Sequence, residues 1–385
     1  MKLYNLDDLK KDLKKDLKKE YISVFLRCDL NITDSDFTRV DLSLPTINFL
    51  LSIDNVSKLI ICTHIGRPEG KFSKKLSVKN LLLPTLQKKI NNMIHYIDLN
   101  DDMDLNKLNS NSKTKQVFLL ENIRFDSREI SNSPDLVKLI SKFSDVYIND
   151  AFGTSHRKHA SVYGISKVVK SYAGLLLEKE IQLMKDLFKK KSSPSTLIIG
   201  GAKINDKAGV MMNLINKVDN IIIGGGMVSS FLANKFPSSV NIDFIQSNLD
   251  KFAIPEDLVV SNEFKQGADF EIINSSNYDE NTFIVDIGPK ASKKFDQIIQ
   301  SSKLLIWNGS MGIFEWKGAE KGTLSLINSI ESNYKALKYA GGGSTIEAIN
   351  NYGLKDSFTH ISSGGGAFLE LLESGSLPAL ENLKY

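Results

Sequence analysis

Glycine-rich loops in the second half of the chain are the clearest sign of chemistry in the sequence. Each follows a short apolar run, and the five loops are GGAK at 200–203, GGGM at 224–227, NGSMG at 308–312, GGGST at 341–345 and GGGA at 364–367. Glycine lets backbone N–H groups approach phosphate oxygens closely, and a helix that begins at such a loop adds the positive end of its dipole. One such loop is usually only a turn, but five at successive strand ends indicate phosphate binding.

Arginine and histidine take the place of glycine in the first half of the chain. They follow apolar runs together with a few acidic and amide side chains: Arg27, Asp29, Asn31, Arg39, His64, Arg67, Arg124, His156, Arg157 and His159. Any single arginine among them could equally well form a surface ion pair without binding a ligand. Because guanidinium groups bind phosphate and carboxylate with two parallel hydrogen bonds, the group as a whole suits a small anionic substrate better than a nucleotide base.

The two halves together favour phosphoryl transfer, in which positioning and charge neutralisation carry most of the catalysis. Closure of two domains would also exclude water that would otherwise hydrolyse the phosphoryl donor. Two other phosphate-binding patterns are missing from the sequence. The run GRPEGKF is one residue too short for a GxxxxGK[ST] loop and has Phe72 after its lysine, and no GxGxxG motif supports a dinucleotide-binding dehydrogenase.

The composition favours an ordinary globular protein of two domains, since the chain has 385 residues with 42% hydrophobic and 24% charged positions. The net charge of +4 comes largely from KKDLKKDLKKE at 10–20, whose alternating character favours a solvated helix face over a nucleic-acid-binding arm. Cys28 and Cys62 lack zinc-binding spacing and fit a reducing compartment. Without an apolar stretch of membrane-spanning length or a signal peptide, we expect a cytoplasmic protein that binds neither membrane nor nucleic acid.

Ten short apolar runs position the candidate residues, and they have the character of parallel strands buried on both faces. They are SVFL before Arg27, KLIIC before Thr63, VFLL before Glu121, DVYI before Asn149, TLII before Gly200, NIII before Gly224, TFIV before Asp286, KLLIW before Asn308, KYA before Gly341 and THI before Ser362. Alternation with helical stretches predicts doubly wound sheets with ligands at the carboxyl ends of strands. A long amphipathic helix followed by KSSPS predicts a domain boundary near 167–195.

Ten motifs, in order from about residue 22 to 380, resemble the signatures of the phosphoglycerate kinase family. They are RCDLN, THIGRP, LLENIRF, YINDAFGTSHRKHAS, LIIGGAKINDK, IIIGGGMVSSFL, DIGPK, WNGSMGIFE, AGGGSTIEAI and ISSGGGAFLELLE. The resemblance implies reversible phosphoryl transfer between 1,3-bisphosphoglycerate with MgADP and 3-phosphoglycerate with MgATP, in glycolysis and gluconeogenesis. It therefore implies a phosphotransferase with a carboxyl group as acceptor and Mg²⁺ as cofactor.

The resemblance also implies an α/β fold of two Rossmann-like three-layer domains with mostly parallel sheets, joined by a hinge helix, in a monomer. We expect an N-terminal triose-phosphate-binding domain at 1–167, an interdomain helix and linker at 168–194, and a C-terminal nucleotide-binding domain at 195–369. The C-terminal segment, about 370–385, is expected to pack back on the N-terminal domain.

The triose-binding set implied by the resemblance agrees with the arginine cluster. It comprises Asp29, Leu30, Asn31, Arg39, His64, Ile65, Gly66, Arg67, Arg124 and Arg157. Arg39 would support the acyl-phosphate end of the substrate and help to neutralise the phosphoryl group in transit. The other members would hold the distal phosphate and the carboxyl end.

The implied nucleotide-binding set comes from the glycine-rich loops and the residues around them. It comprises Gly201, Ala202, Lys203, Lys207, Gly225, Gly226, Asn308, Gly312, Glu315, Gly342, Gly343, Ser344 and Thr345. Lys207 would follow the moving phosphoryl group, and Glu315 would lie near the ribose. Gly365 and Gly366 would open a helix whose amides face the transferring oxygens. With Arg39 and Lys207 they form the implied catalytic set, a charge cradle without a covalent intermediate.

Three departures from the family pattern concern mainly the nucleotide side. Ser344 stands where the family motif GGGDT has the aspartate that meets magnesium, so we expect weakened or rearranged metal binding with Ser344 as the metal residue. Ser310 stands where the family usually has proline, which removes rigidity from the loop. The segments after RCDLN and GGGMVSSFLANKF are short. These departures leave an alternative hypothesis, a catalytically weakened relative that still binds triose phosphate.

Overall fold

The computed structural model describes residues 2–15, 19–32, 37–109, 114–189, 192–238 and 240–383. Its contacts divide the chain into two compact units. Unit 1 comprises Met1–Met184 and Ser376–Tyr385, and unit 2 comprises Lys185–Gly375. Each unit is an α/β structure with a parallel sheet, so the predicted fold class is confirmed. The segment after RCDLN that the sequence analysis marked as short continues into residues 33–36, which lie outside the described residues.

A parallel sheet forms the centre of unit 1. Its strands within the described residues are β1 (Ile22–Cys28), β2 (Val56–Cys62), β3 (Ile94–Ile97), β4 (Gln116–Leu120), β5 (Val146–Asp150) and β6 (Lys170–Ala173). They lie in the order β3-β4-β2-β1-β5-β6. The helices of this part of the chain are α1 (Leu6–Lys15), α2 (Thr38–Leu51), α3 (Val78–Leu81), α4 (Leu83–Lys89), α5 (Asp102–Asn109), α6 (Ser127–Ile130), α7 (Pro134–Ser141) and α8 (Leu175–Lys189).

Helices cover both faces of this sheet, which explains why its central strands are apolar throughout. Val24 and Leu26 of β1 pack in one core cluster, with residues of α2. Phe25, between them, packs in a second cluster, with Ile140 of α7. Successive side chains of a strand point to opposite faces, so both faces of β1 need apolar residues. The predicted buried parallel strands of the first half are thus confirmed.

The helix α8 has the amphipathic character expected from the sequence. Leu177, Ile181 and Met184 recur at helical spacing and are buried. The first backbone N–H groups of a helix have no partner within the helix. Asp150, at the end of β5, is such a partner for α8. Its Oδ1 accepts hydrogen bonds from the N–H groups of Leu176 (2.9 Å) and Leu177 (3.3 Å).

Unit 2 contains a parallel sheet and a smaller antiparallel one. The strands that the structure describes here are β7 (Ser195–Ile199), β8 (Asn220–Ile223), β9 (Phe252–Ala253), β10 (Asp257–Ser261), β11 (Glu271–Asn274), β12 (Phe283–Ile287), β13 (Leu304–Asn308), β14 (Leu337–Ala340) and β15 (His360–Ile361). The parallel sheet has the order β15-β14-β13-β7-β8-β9, and the antiparallel sheet has the order β11-β10-β12. The helices are α9 (Ala208–Leu214), α10 (Val228–Leu232), α11 (Ile242–Gln246), α12 (Pro289–Ser301), α13 (Lys321–Ser332), α14 (Gly343–Asn351) and α15 (Gly365–Ser374).

The antiparallel sheet corrects one expectation. The run TFIV was assigned to the parallel pattern, but it belongs to β12, which pairs antiparallel with β10. The sequence of β12 resembles that of a buried parallel strand, because Ile284 to Ile287 are all buried. The other nine predicted runs lie in parallel strands. The sequence analysis did not predict β3, β6, β9, β10 or β11.

The last described residues return to unit 1. A 3₁₀ helix spans Pro378–Leu383, and within it the Ala379 N–H donates to the Ser155 carbonyl oxygen (3.1 Å). The Leu383 carbonyl oxygen accepts from the Tyr4 N–H (2.8 Å). The chain therefore completes unit 1 after it has built unit 2.

Candidate functional site

In unit 1, the residues predicted to bind a triose phosphate follow three neighbouring strands. Asp29, Leu30 and Asn31 follow β1, the segment from His64 to Arg67 follows β2, and Arg124 lies in the turn after β4. β2 pairs with both β1 and β4. The carboxyl ends of parallel neighbours meet at one edge of the sheet, so the topology brings these segments together.

Hydrogen bonds join the segments directly. The Leu30 N–H donates to Thr63 Oγ1 (2.9 Å), and the Gly66 N–H donates to Asn31 Oδ1 (2.9 Å). Arg124 Nη1 donates to the Gly66 carbonyl oxygen (2.7 Å). Gly66 has a φ of +64°, in the left-handed region that favours glycine. Asn31 and Gly66 thus help to hold the segment after β2 in its conformation.

Arg39 reaches this edge from α2. Its Nη1 lies 2.6 Å from Asp29 Oδ2, and its side chain is 34% exposed while that of Asp29 is 5% exposed. The buried carboxylate fixes one side of the guanidinium, and the exposed remainder can still meet a ligand. Asp29 is therefore placed to orient Arg39, since a carboxylate itself would repel an anionic substrate.

His64 is buried and electrically neutral. Burial lowers the pKa of its imidazole well below 6.5, with a further lowering from the charges of Arg27, Arg124 and Arg39. Its Nδ1 lies 3.2 Å from Arg27 Nη2. A guanidinium can only donate, so Nδ1 must accept and the proton of the neutral ring resides on Nε2. His64 can therefore donate one hydrogen bond from Nε2.

Arg27 is a functional residue that the predicted set omitted. It is buried inside β1, where Nε donates to Ser161 Oγ (2.9 Å) and Nη1 donates to the Cys28 carbonyl oxygen. Ser161 in turn donates to the buried carboxylate of Glu129 from Oγ (2.7 Å) and N (2.8 Å). Burial raises the pKa of Glu129, while the Arg27 charge opposes that shift. Arginine after a run of apolar strand residues was the available signal for Arg27, and the sequence held no signal for Glu129.

The remaining arginines are less tightly held. Burial lowers the pKa of Arg124 to about 10, helped by the charges of Arg27 and Arg157, so the group stays protonated at neutral pH. Arg157 Nε donates to His156 Nε2 (3.2 Å). Arg67 is exposed. Within the described residues, neither Arg67 nor Arg157 forms a hydrogen bond or ion pair with the rest of the predicted triose set.

In unit 2, a cavity of about 490 Å³ brings together much of the predicted nucleotide set, and we refer to it as the nucleotide cavity. The predicted residues in its wall are Gly201, Ala202, Gly225, Gly226, Gly312, Glu315 and Ser344. Phe264, Tyr278 and Phe283 also line it, as does Ser310. Aromatic and apolar walls with a few convergent polar groups are typical of small-molecule sites, and the volume suits a nucleotide.

Two glycines of this cavity are required by the close approach of two loops. A Cβ on Gly225 would lie 2.6 Å from the Gly201 carbonyl oxygen, and Gly225 itself has a φ of +67°. A Cβ on Gly226 would lie 2.7 Å from the Ala202 carbonyl oxygen. Any side chain at either position would push apart the loops after β7 and β8. The backbones that the sequence analysis assigned to phosphate binding thus touch each other.

A second group of predicted residues lies at the ends of β13 and β14. Lys207 Nζ donates to Asn308 Oδ1, and Asn308 Nδ2 donates to the Gly341 carbonyl oxygen (2.5 Å). Burial lowers the pKa of Lys207, while Asp206 raises it. The Gly309 N–H donates to Thr345 Oγ1 (2.7 Å). The hydroxyl of Thr345 is therefore occupied by the protein backbone.

The other predicted residues of unit 2 surround this group. A Cβ on Gly365 would lie 2.7 Å from the Gly342 Cα, so the loops before α14 and α15 also touch. Lys203, Gly343 and Gly366 are exposed. The residues Gly365 and Gly366 form the first turn of α15, as the resemblance implied.

Two further residues hold the loop 309–312 of the nucleotide cavity. Thr323, in the first turn of α13, accepts hydrogen bonds at Oγ1 from the N–H groups of Met311 (3.1 Å) and Gly312 (3.3 Å). Asp286 Oδ2 accepts from the Gly322 N–H (2.6 Å), and a Cβ on Gly312 would collide with Asp286 Oδ1. Burial raises the pKa of Asp286 to about 7. The motif DIGPK contains Asp286, but the sequence analysis assigned no role to this residue.

The donors for a magnesium ion are sparse on the protein side. In the part of the chain that the structure describes, no three His, Cys, Asp or Glu side chains form a group that could hold a metal ion. Ser344 is exposed in the first turn of α14 and lines the nucleotide cavity. Magnesium commonly takes one or two protein ligands and completes its shell with phosphate and water. The arrangement therefore fits a metal ion that arrives with the nucleotide and meets the Ser344 hydroxyl.

Comparisons with known proteins agree across both units. The family model "Phosphoglycerate kinase" matches residues 14–375. A phosphoglycerate kinase from Finegoldia magna is 38% identical over 379 residues, which cover 93% of this chain and 95% of the relative. One from Dictyoglomus turgidum is 37% identical over 388 residues, covering 94% and 95%.

Solved structures give the same result. The phosphoglycerate kinase from Coxiella burnetii has a TM-score of 0.80 at 29% identity and covers 99% of each chain. That from Pyrococcus horikoshii has a TM-score of 0.76 at 28% identity, covering 99% of this chain and 98% of the other. In the described ranges, no helix has the length and apolar character needed to cross a membrane. Sequence and structure together place this chain in the phosphoglycerate kinase family.

Proposed function

We propose that the protein transfers a phosphoryl group reversibly between 1,3-bisphosphoglycerate with ADP and 3-phosphoglycerate with ATP. In the direction that consumes ATP, the acceptor is the carboxyl group of 3-phosphoglycerate. The family match over residues 14–375 carries this proposal, and it makes the protein a kinase of glycolysis. The alternative of a weakened binding protein has no support from the comparisons.

The triose substrate would bind at the basic edge of the unit 1 sheet. His64 would donate from Nε2 to a substrate oxygen, because its Nδ1 faces Arg27. Arg124, Arg157 and Arg67 would bind the distal phosphate and the carboxyl end. Arg39, held by Asp29, would neutralise charge on the phosphoryl group in transit. Leu30, Asn31, Ile65 and Gly66 would shape the loops that carry these groups.

The nucleotide would bind in the cavity of unit 2. The facing loops at Gly201–Ala202 and Gly225–Gly226 would admit the nucleotide closely, and Glu315 would meet the ribose. Lys203 and Lys207 would contact phosphate oxygens, with Lys207 leaving Asn308 to follow the moving group. The amides of Gly365 and Gly366, at the start of α15, would face the transferring oxygens. Gly312 would line the wall, and Gly342, Gly343 and Thr345 would support the segment that carries Ser344.

A magnesium ion bound with the nucleotide would supply positive charge against the phosphate oxygens. The protein ligand that we assign to it is the hydroxyl of Ser344. The remaining groups act without covalent chemistry: they bind, orient the two oxygens in line and exclude water.

We further propose a cytoplasmic monomer that binds neither nucleic acid nor membrane and whose units close by hinge bending. The resemblance to the family supports this proposal, together with two cysteines that lack zinc-binding spacing and a lysine-rich start with alternating acidic and apolar residues.

Replacement of Lys207 tests the proposal. Lys207→Ala should lower kcat by about tenfold or more, because a charge that neutralises the transferring group is lost. A coupled assay that detects ADP formed from 3-phosphoglycerate and MgATP measures this. Lys217→Ala removes an exposed lysine of the same unit outside the proposed site and should leave kcat unchanged. No turnover in the native protein, or equal turnover in Lys207→Ala, would refute the proposal.

A further inference from the structure

A groove in unit 2 lies outside the nucleotide cavity and has no role in the proposed function. Its volume is about 1040 Å³, about twice that of the nucleotide cavity, and none of the predicted site residues lines it. Val259 and Ile272, which pair across β10 and β11, line the groove together with Phe270. The helices α12 and α13 supply the other side. This volume is at the upper end of the range for sites that bind small organic molecules.

The sheet side of the groove offers apolar surface to a ligand. Ile272 is 59% exposed although it belongs to a strand, and Phe270 is only half-buried. Leu324 of α13 and Ile287 of β12 extend this surface. Covering apolar surface of this kind releases water and favours binding. The groove therefore suits a ligand with an apolar body.

The helix side of the groove carries an excess of positive charge. Lys293 of α12 and Lys321 of α13 line it, and neither forms an ion pair or hydrogen bond within the described residues. The neighbouring Lys294, by contrast, is neutralised by Glu256 at 2.6 Å. The acidic residue of the lining, Asp296, accepts a hydrogen bond from Gln300 Nε2 (3.1 Å). The free lysines would attract an anionic head group.

Acidic side chains already occupy several amides at the starts of the two helices. Asp257 accepts from the N–H groups of Lys290 (3.0 Å) and Ala291 (2.8 Å) at the start of α12. Asp286 accepts from the Gly322 N–H at the start of α13. These buried carboxyls occupy three of the first amides, so the lysine side chains carry most of the attraction for charge.

The groove is connected to the nucleotide cavity through α13 and β12. Lys321 and Leu324 line the groove, and Thr323 between them holds the N–H groups of Met311 and Gly312 in the nucleotide loop. β12 contributes Ile287 to the groove and Ile284 and Val285 to the nucleotide cavity. A ligand that binds between the sheet and α13 would stabilise the arrangement that holds this loop.

We propose that the groove binds a small amphipathic organic anion, with its apolar body on Ile272 and Phe270 and its charge at Lys293 and Lys321. We further infer that the bound anion strengthens nucleotide binding; this second part rests on the proposed function of the cavity. Coupling between two sites is reciprocal, so nucleotide strengthens anion binding by the same factor.

Octanoate and 1-octanol form a matched pair of probes for the site, measured by calorimetry on the full chain. We expect one saturable octanoate site, with a Kd at least about fivefold lower than that of 1-octanol because only octanoate has a charge for the lysines. The Lys293→Glu/Lys321→Glu variant should raise the octanoate Kd at least about tenfold. Lys355→Glu, on an exposed lysine outside the groove, is the charge control and should have no effect.

Ile272→Ser tests the apolar part of the site, and its exposure makes unfolding an inadequate explanation for lost binding. We expect the octanoate Kd to rise about fivefold. Non-saturable binding, equal affinity for 1-octanol, or an octanoate Kd unaffected by these variants would overturn the binding proposal.

The coupling is tested by titrating ADP with and without saturating octanoate. We expect the Kd for ADP to fall about threefold in its presence. An unchanged or raised Kd for ADP would overturn the coupling. Turnover without octanoate binding would refute the groove alone, whereas octanoate binding without turnover would refute the proposed function alone.

Discussion

At the scale of single residues, the hydroxyl of Ser344 is the protein ligand that we propose for magnesium. It lies at the start of α14 in the wall of the nucleotide cavity, where the resemblance led us to expect an aspartate. A hydroxyl can coordinate magnesium but adds no negative charge to the site. The native protein should therefore need more magnesium for half-maximal turnover than a variant with a carboxylate at this position.

We predict that Ser344→Asp lowers the magnesium concentration for half-maximal turnover by about threefold or more, since a charged ligand strengthens the site. Ser344→Asn has the shape of the aspartate without its charge and should not lower it. A magnesium titration of initial rates at fixed total nucleotide measures all three proteins. Equal magnesium requirements for Ser344→Asp and the native chain would show that Ser344 does not meet the metal.

Residues in loops could be predicted from the sequence, and residues that act on other residues could not. The motifs contained Gly225, Asn308 and Lys207; the structure places Gly225 in a cavity wall of unit 2 and joins Lys207 to Asn308 by a hydrogen bond. Arg27 and Thr323 act through hydrogen bonds to protein groups distant in sequence. Their roles depend on which side chain or N–H group lies opposite, which only the fold determines.

At the scale of elements, α13 supports the loop 309–312 in the wall of the nucleotide cavity. The hydroxyl of Thr323 accepts hydrogen bonds from two buried N–H groups of this loop. Removal of the hydroxyl would leave both N–H groups without a partner, at a cost of about 1–3 kcal/mol each. The loop would then shift to find other partners. Since the loop contributes Ser310 and Gly312 to the cavity wall, nucleotide binding should weaken.

We predict that Thr323→Val raises KM for ATP by about tenfold while KM for 3-phosphoglycerate changes less than about twofold. Valine keeps the shape of threonine but lacks its oxygen. Thr323→Ser retains the hydroxyl and should keep KM for ATP close to the native value. A purely structural role would be revealed if both Michaelis constants rose together in Thr323→Val, or if Thr323→Ser were equally impaired.

Most of the sheet architecture could be predicted because long apolar strands covered on both faces leave a clear pattern. β1 and β2 of unit 1 and β13 of unit 2 are of this type. Two of the missed strands give weaker signals: β9 has two residues, and β11 is largely exposed. The antiparallel direction of β12 could not be predicted, because its four consecutive buried residues have the same pattern as a parallel strand covered on both faces.

The molecule as a whole carries a buried aspartate in each unit whose protonation is linked to folding. Burial raises the pKa of both Asp150 and Asp286 from 3.8 to about 7. Between these values the folded state binds more protons than the unfolded state. The contribution of these two groups to the free energy of unfolding is therefore present at low pH and is lost as pH rises through about 7.

We predict that the Asp150→Asn/Asp286→Asn variant gains stability relative to the native chain between about pH 5 and pH 8, because an amide cannot ionise. Burial lowers the pKa of His64, His156 and His159, which shifts stability in the opposite direction in both proteins. The informative quantity is therefore the difference between the two proteins. Urea unfolding at both pH values measures it, and a difference that stays constant or shrinks would contradict the linkage.

The return of residues 376–385 to unit 1 has a consequence for synthesis on the ribosome. Unit 2 is one continuous segment, Lys185–Gly375, and can fold as soon as it has emerged. Unit 1 must wait for the segment that bonds to Tyr4 and Ser155, which is made only after the whole of unit 2. At about 5–20 residues per second, that delay is roughly 10–40 s. A nascent chain therefore carries an incomplete first unit throughout the synthesis of the second.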